Sequence, residues 1–131
     1  MATNPGYAAT PRRSSIAIST ANTNRDGTGT VATVFTAGAN GSRIDQIVIM
    51  PVGTTTAGMV RLYLYDGSTY VLYREVPILA NTPSGTVAGA QITLASGNYP
   101  DLPIILPNGH SLRASTNNAE TFHVTAMGGD F

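Results

Sequence analysis

Short β-prone runs, each closed by glycine, proline, asparagine or aspartate, follow one another along most of the chain. In the clearest run, Val60, Leu62 and Leu64 alternate with larger polar or aromatic residues, and Asp66-Gly67 then predicts a type I′ hairpin turn. No segment has ten residues of helical periodicity. Eight or nine such runs at these spacings are typical of an antiparallel β-sandwich, so the sequence predicts an all-β fold.

The first residues differ from the rest of the 131-residue chain, which is the size of one domain. Before about Ser14 there are two prolines, one glycine, several small residues and no periodicity. This predicts an extended arm over residues 1–13 and a single β-sandwich domain over residues 14–131. Arg12 and Arg13 stand where the arm meets the first strand, and we expect them to form bidentate pairs with carboxylates of a partner.

Charge is scarce and balanced in this sequence. Charged residues make up 11% of the chain, against about 25% in ordinary domains, and lysine is absent. With a formal net charge of zero, the chain has no field that attracts nucleic acid or an anionic membrane, so we expect neither as a partner. Low lysine and glutamate with arginine and tyrosine present is typical of protein interfaces, but a surface solvated by threonine, serine, asparagine and glycine is equally compatible.

Residues that carry catalysis are few and scattered. The two histidines are His110 and His123, and cysteine is absent. There is no nucleophile elbow, no phosphate-binding glycine loop and no metal-ligand spacing. We therefore expect no enzyme activity, no catalytic or metal site and no cofactor, while a glycosidase-like carboxylate pair assembled from distant strands stays open.

Tyrosines are concentrated around the predicted hairpin, and three interpretations of them are possible. In the first, they stabilise the sheet as cross-strand pairs, worth roughly 0.2–1 kcal/mol each. In the second, they form a stacking platform for sugars or bases, although single-strand binding also needs a basic groove. In the third, they anchor a subunit interface, where tyrosine and arginine are favoured. We adopt the interface hypothesis, and its candidate residues, with those of the arm, are Arg12, Arg13, Arg61, Tyr63, Tyr65, Tyr70 and Tyr73.

Two stretches carry a resemblance to a known group of proteins. They are "GMVRLYLYDGSTYVLYREVPI" at residues 58–78 and "LPNGHSLRASTNNAETFHVTAMGGDF" at residues 106–131. Their pattern of strands and turns resembles small virion proteins of tailed bacteriophages, of the capsid decoration or cement type. The resemblance implies a β-sandwich that is jelly-roll-like, although the strand order, jelly roll or immunoglobulin-like, is left open by the sequence.

The resemblance also implies a function. Proteins of this type reinforce a phage capsid by bridging neighbouring major capsid protein subunits, often as homotrimers, and they have no catalytic motif to transfer. The expected location is the virion, on the capsid exterior, after assembly in the host cytoplasm; the first residues also lack the pattern of a secretion signal. The alternative function is a tail or head-fibre module that binds host-surface glycans through its tyrosines.

Overall fold

The computed structural model describes residues 9–95 and 102–131, and in these residues it contains nine β-strands and no helix. The prediction of an all-β chain with eight or nine strands is therefore confirmed. No helix able to span a membrane is present in these two ranges. The strands, in chain order, are β1 (Thr10–Ile18), β2 (Ala32–Thr36), β3 (Ser42–Pro51), β4 (Gly58–Tyr65), β5 (Tyr70–Ile78), β6 (Ile92–Ala95), β7 (Ile104–Leu106), β8 (Ser111–Thr116) and β9 (Phe122–Asp130).

The strands form two antiparallel sheets with the order of a jelly roll. The first sheet runs β1-β9-β3-β6, and the second sheet runs β2-β8-β4-β5. β7 joins β3 on the same side as β6 and beside it, so these two short strands act as one interrupted strand. Apart from the β4–β5 hairpin and the β6–β7 pair, each connection crosses from one sheet to the other, which is the jelly-roll arrangement of a double-sheet fold.

The core lies between the sheets and follows the two-residue period of the strands. On β3, Ile44, Ile47 and Ile49 are fully buried, and on β9, Phe122 and Val124 are at most 1% exposed. Burying a side chain of this size stabilises the fold by roughly 1.5–3 kcal/mol. Because alternate side chains of a strand face opposite sides, each inward apolar residue leaves its two neighbours on the outer face of the sheet.

A β-bulge changes this alternation in the β4–β5 hairpin. Leu62 pairs with Arg74, but the next residue, Tyr63, pairs with Leu72, so the register shifts by one residue at Tyr73. A bulge of one residue reverses which face the following side chains occupy. As a result Tyr73 packs against the core cluster.

The hairpin turn also differs from the predicted type. Tyr65 pairs with Tyr70, which leaves a four-residue connection. A type I′ turn needs positive φ at both central residues. Gly67 has φ +101°, but no non-glycine residue of the described chain has positive φ, so Asp66 does not fit this turn type. Instead the Asp66 carboxylate accepts hydrogen bonds from the backbone amides of Ser68 and Thr69, at 2.9 and 2.7 Å. The type I′ prediction is therefore wrong, because the aspartate side chain organises the turn.

The boundary predicted between arm and domain is four residues too late. Residues 10–13 belong to β1, where Thr10 pairs with Asp130 and Arg13 with Met127. β1 is an edge strand, which tolerates Pro11 because a proline there need not donate to a ladder. The rest of the predicted arm, residues 1–8, lies outside the described residues.

Candidate functional site: the tyrosine and arginine face of the second sheet

The outer face of the second sheet carries most of the predicted site residues. Val60 and Leu62 of β4 are buried in the core, so Arg61, Tyr63 and Tyr65 point to the opposite side. β8 lies beside β4 and pairs Arg113 with Tyr63, while β5 on the other side pairs Tyr70 with Tyr65. We call this set of side chains the Tyr–Arg face.

The Tyr–Arg face is covered by the chain itself. The covering loop, residues 19–31, connects β1 to β2 and passes over β4. Arg61 Nη1 donates to the carbonyl of Asn22 at 3.1 Å, and the Tyr63 hydroxyl donates to the carbonyl of Asn24 at 3.0 Å. In consequence Arg61 is only 4% exposed and Tyr63 is fully buried. The expectation that these two side chains are open to a partner is therefore corrected.

Asn22 holds the covering loop in place. Its backbone amide donates to the carbonyl of Thr116 on β8 at 2.8 Å, which fixes the loop to the second sheet. Its side-chain amide donates to the carbonyls of Thr28 and Thr30, both at 2.9 Å, and so closes the loop on itself. Because Asn22 is 5% exposed, its polar groups depend on these protein partners rather than on water.

An ion-pair cluster joins the loop to both hairpin strands. Glu75 of β5 accepts from Arg61 Nε at 2.9 Å, and it also accepts from Arg25 of the loop through Nε at 3.2 Å and Nη2 at 2.8 Å. The hydrogen bond from Arg25, with the one from Arg61, lowers the pKa of the Glu75 carboxyl below its ordinary value. The cluster therefore stabilises the loop on the sheet only while Glu75 is ionised.

The other aromatic rings of the Tyr–Arg face pack against one another and against an arginine. The ring centroids of Tyr65 and Tyr70 are 4.3 Å apart, and the Tyr63 and Tyr70 rings meet edge to face at 5.9 Å. The Arg113 guanidinium lies 4.2 Å from the centroid of the Tyr65 ring, and its Nη1 donates to the Tyr70 hydroxyl at 3.0 Å. The Tyr–Arg face is thus a packed cluster within one chain.

The two arginines predicted for the arm have different surroundings. Arg12 lies 4.3 Å above the ring of Phe35, and its Nη1 donates to the carbonyl of Thr36 at 2.7 Å and to Asp130 Oδ1 at 2.9 Å. Its carboxylate partner therefore belongs to the same chain, which corrects the predicted pairing with another protein. Arg13, the next residue of β1, is exposed.

Asp130 joins Arg12 to the start of β3. Ser42 donates its hydroxyl to the Asp130 carboxylate, and the backbone amide of Gly38 donates to the Ser42 hydroxyl at 2.8 Å. The bond from Ser42 lowers the pKa of Asp130, and Arg12 lowers it further. The cluster thus ties β1, β3 and β9 together near the end of the chain.

Of the seven candidate residues, the structure brings together Arg61, Tyr63, Tyr65 and Tyr70, and it separates Arg12, Arg13 and Tyr73 from them. Four further residues of this site, Asn22, Arg25, Glu75 and Arg113, were not predicted from the sequence. The position of Arg113 on an outer face could have been predicted from the sequence, because it alternates with the apolar Leu112 and Ala114. The loop residues carry no comparable signal.

The outer face of the first sheet has a different character. Here Arg13, Ser15, Ala17 and His123 are exposed, and Ile105 is 56% exposed. In the described part of the chain, no group of three or more histidine, aspartate or glutamate side chains is arranged to hold a metal ion. The exposed side chains of this face are therefore a mixture of small, basic and apolar groups.

No protein-family model matches the sequence, and no curated protein matches it. Among solved structures, the fold is similar to that of a pentameric capsid protein isolated from metagenomic phage sequences, at 14% sequence identity and a TM-score of 0.42. The match covers 90% of this chain, which spans 66% of the length of that protein.

Proposed function

We propose that this protein is a structural component of a bacteriophage virion that decorates and reinforces the capsid by binding major capsid protein subunits, as a homotrimer on the capsid exterior. The virion assignment is supported by the resemblance of residues 58–78 and 106–131 to small phage virion proteins. The capsid is assembled in the host cytoplasm in this proposal.

The observation that carries the assembly role is the scarcity of charged side chains, which make up 11% of the chain and include no lysine. A free strand edge is a template for pairing with other chains, and soluble proteins usually guard it with lysine, proline or a bulge. The nine-residue edge strand β5 is guarded by a proline and by the bulge at Tyr73, but no lysine adds charge at any edge. Edges of this kind suit a protein whose neighbours cover them in a permanent assembly.

The burial and packing of the tyrosine rings argue against the glycan-binding alternative. A sugar-stacking platform needs aromatic rings whose faces are open to the ligand. Tyr63 is fully buried under the covering loop, and Tyr65 and Tyr70 stack on each other and contact Arg113. Binding a sugar there would require this cluster to open, at the cost of its hydrogen bonds.

We assign the contact with the capsid to the outer face of the first sheet. On β1 the exposed Ser15 and Ala17 are small, so a flat partner surface can approach this strand closely. Arg13 supplies an exposed guanidinium at one edge of this face, which suits a carboxylate on the partner.

Two measurements test the proposal. The first is the copy number of the protein in purified particles by quantitative mass spectrometry. Hundreds of copies per particle are expected for a capsid decoration protein, whereas a handful would place it in a tail or fibre and overturn the proposal.

The second measurement is binding of variants to shells that lack the protein. Ala17→Glu puts a charge on the exposed outer face of the first sheet and should abolish binding. Thr33→Glu is the matched control, because Thr33 is an exposed residue of β2 in the other sheet. Equal binding of both variants would contradict the assignment of the contact face.

A further inference from the structure

The Tyr–Arg face holds the covering loop by main-chain groups of the loop. On β4, Arg61 and Tyr63 are two residues apart and point to the same side of the sheet. The carbonyls to which they donate, at 3.1 and 3.0 Å, belong to Asn22 and Asn24, which are also two residues apart. Because every residue has a backbone carbonyl, these two donors bind a peptide segment without selecting the side chains at those two positions.

Two further contacts do select side chains of the bound segment. Arg25 donates two hydrogen bonds to the Glu75 carboxylate, at 3.2 and 2.8 Å, so an arginine is matched to this acid. Two residues later, Gly27 lies on the ring of Tyr70, where no side chain has room. The face therefore fits a segment in which an arginine follows the two bonded carbonyls and a glycine stands two residues after the arginine.

The attachment of the covering loop is mainly polar and partly exposed to solvent. None of residues 19–31, all of which the structure describes, belongs to the hydrophobic core or to the apolar side chains packed against it. The side chain of Arg25 is 64% exposed, and exposed ion pairs contribute little to stability. Segments with few buried apolar contacts open locally while the rest of a domain stays folded.

The strand ladders beneath the loop are formed without it. β4 pairs with β8 on one side and with β5 on the other. Arg61 also donates to Glu75 at 2.9 Å, a contact in which the loop takes no part. Opening of the loop therefore leaves a folded sandwich in which Arg61, Tyr63 and Glu75 keep their places and lose the loop as a partner.

We infer that the Tyr–Arg face is a binding site for a peptide segment of a partner protein, and that the covering loop occupies this site until the partner displaces it. The segment carries an arginine that pairs with Glu75 and a glycine that meets Tyr70. Two of its carbonyls accept the hydrogen bonds of Arg61 and Tyr63 that the loop gives up, so displacement of the loop has a compensating gain. The inference does not rest on the assignment of the capsid contact to the first sheet.

A synthetic peptide with the sequence of residues 19–31 is the probe, because it has the carbonyls, the arginine and the glycine in the required order. Its binding to the full-length protein is measured by fluorescence anisotropy. Gly27→Ala in the protein lifts the resident loop, so a larger fraction of the molecules is open, and the affinity for the peptide should rise at least about fivefold. Gly53→Ala is the control and should bind as the unchanged protein does, since nothing lies within 4 Å of a Cβ there.

A second protein variant keeps the test valid if Gly27→Ala fails to fold. Arg25→Ala removes only the exposed ion pair of the resident loop and should raise the affinity for the peptide about twofold to fivefold. No gain in affinity in any folded variant of the two would overturn the inference.

Variant peptides test whether the site selects the segment as inferred. Changing Arg25→Ala or Gly27→Ala in the peptide should weaken its binding to the Arg25→Ala protein. Thr23→Ala in the peptide is the matched control, because Thr23 is exposed in the loop, and it should bind as the original peptide does. Equal binding of all the peptides would contradict the assignment of Glu75 and Tyr70 to the site.

The same peptide tests whether the occupant is a second copy of this chain. Sedimentation of the unchanged protein with excess peptide should show the same oligomeric state as without it. Dissociation of an oligomer by the peptide would identify the covering loop of a neighbouring copy as the occupant and would overturn the assignment to a separate partner.

Discussion

Gly27 of the covering loop lies directly on the ring of Tyr70. A Cβ at position 27 would stand 2.2 Å from Tyr70 Cγ, and Gly27 has φ +88°, a conformation that other residues rarely adopt. The loop approaches the Tyr–Arg face this closely only because residue 27 has no side chain.

Replacing Gly27 by alanine should therefore lift the loop from the face. We expect a loss of about 1–3 kcal/mol in the free energy of unfolding, the usual range for a strained backbone position. Gly53→Ala is the control, because nothing lies within 4 Å of a Cβ there and its φ is outside the positive range. Urea denaturation compares the two, and similar losses in both would show that the contact with Tyr70 is unimportant.

Tyr63 should act on folding rather than on assembly. Tyr63→Ala removes a fully buried aromatic ring, which costs about 3–5 kcal/mol in other cores, so the monomer itself is destabilised. Tyr63→Phe removes only the hydrogen bond to the Asn24 carbonyl and should cost about 1 kcal/mol. Thermal melting and sedimentation together check this. A stably folded Tyr63→Ala monomer that has lost assembly would instead support an interface role.

Stability should fall in acid through Glu75. Because the folded pKa of Glu75 lies below its ordinary value of 4.5, the folded state favours the ionised form, and the stabilisation is complete above that value. As the pH falls through the depressed folded pKa, Glu75 takes up a proton and the stabilisation is lost.

Urea midpoints measured from pH 7 to pH 3 check this dependence. Glu75→Gln should be less stable than the unchanged protein at pH 7 and should lose less stability between pH 5 and pH 3. Asp130 has a lowered pKa as well, so part of the acid dependence should persist in the variant. Identical acid dependence in both proteins would rule out a contribution from the Arg25–Glu75–Arg61 cluster.

The neighbouring arginines of β1 should behave differently. Arg12→Ala removes the hydrogen bonds to Thr36 and Asp130 and the contact with Phe35, and we expect a loss of about 1–2 kcal/mol. Arg13→Ala, at an exposed position, should change stability by no more than about 0.5 kcal/mol. Chemical denaturation of the two variants is the measurement, and a larger loss for Arg13 than for Arg12 would contradict the assignment of Arg12 to the sandwich.

The alternation of residue types was enough to predict which side chains of β4 share a face. Val60 and Leu62 go to the core and Arg61 and Tyr63 to the outside, because strand geometry sends successive side chains to opposite sides whatever the rest of the fold does. For the same reason the strand-rich, helix-free architecture was predictable. The bulge at Tyr73 was not, since either strand of the hairpin accommodates an extra residue with the same local pattern.

The amino-acid pattern was sufficient to predict a β-sandwich in which arginine and tyrosine share one sheet face. Three features became visible only in the folded chain: a loop about forty residues earlier covers that face, Arg12 pairs with Asp130, and the strands follow jelly-roll order. The two groups of features differ in the range of the interactions that produce them. Side-chain alternation is a property of neighbouring residues. Arg61 and Tyr63, in contrast, donate hydrogen bonds to the backbone carbonyls of Asn22 and Asn24. Because every residue carries a backbone carbonyl, the amino-acid sequence does not distinguish the loop that supplies these acceptors.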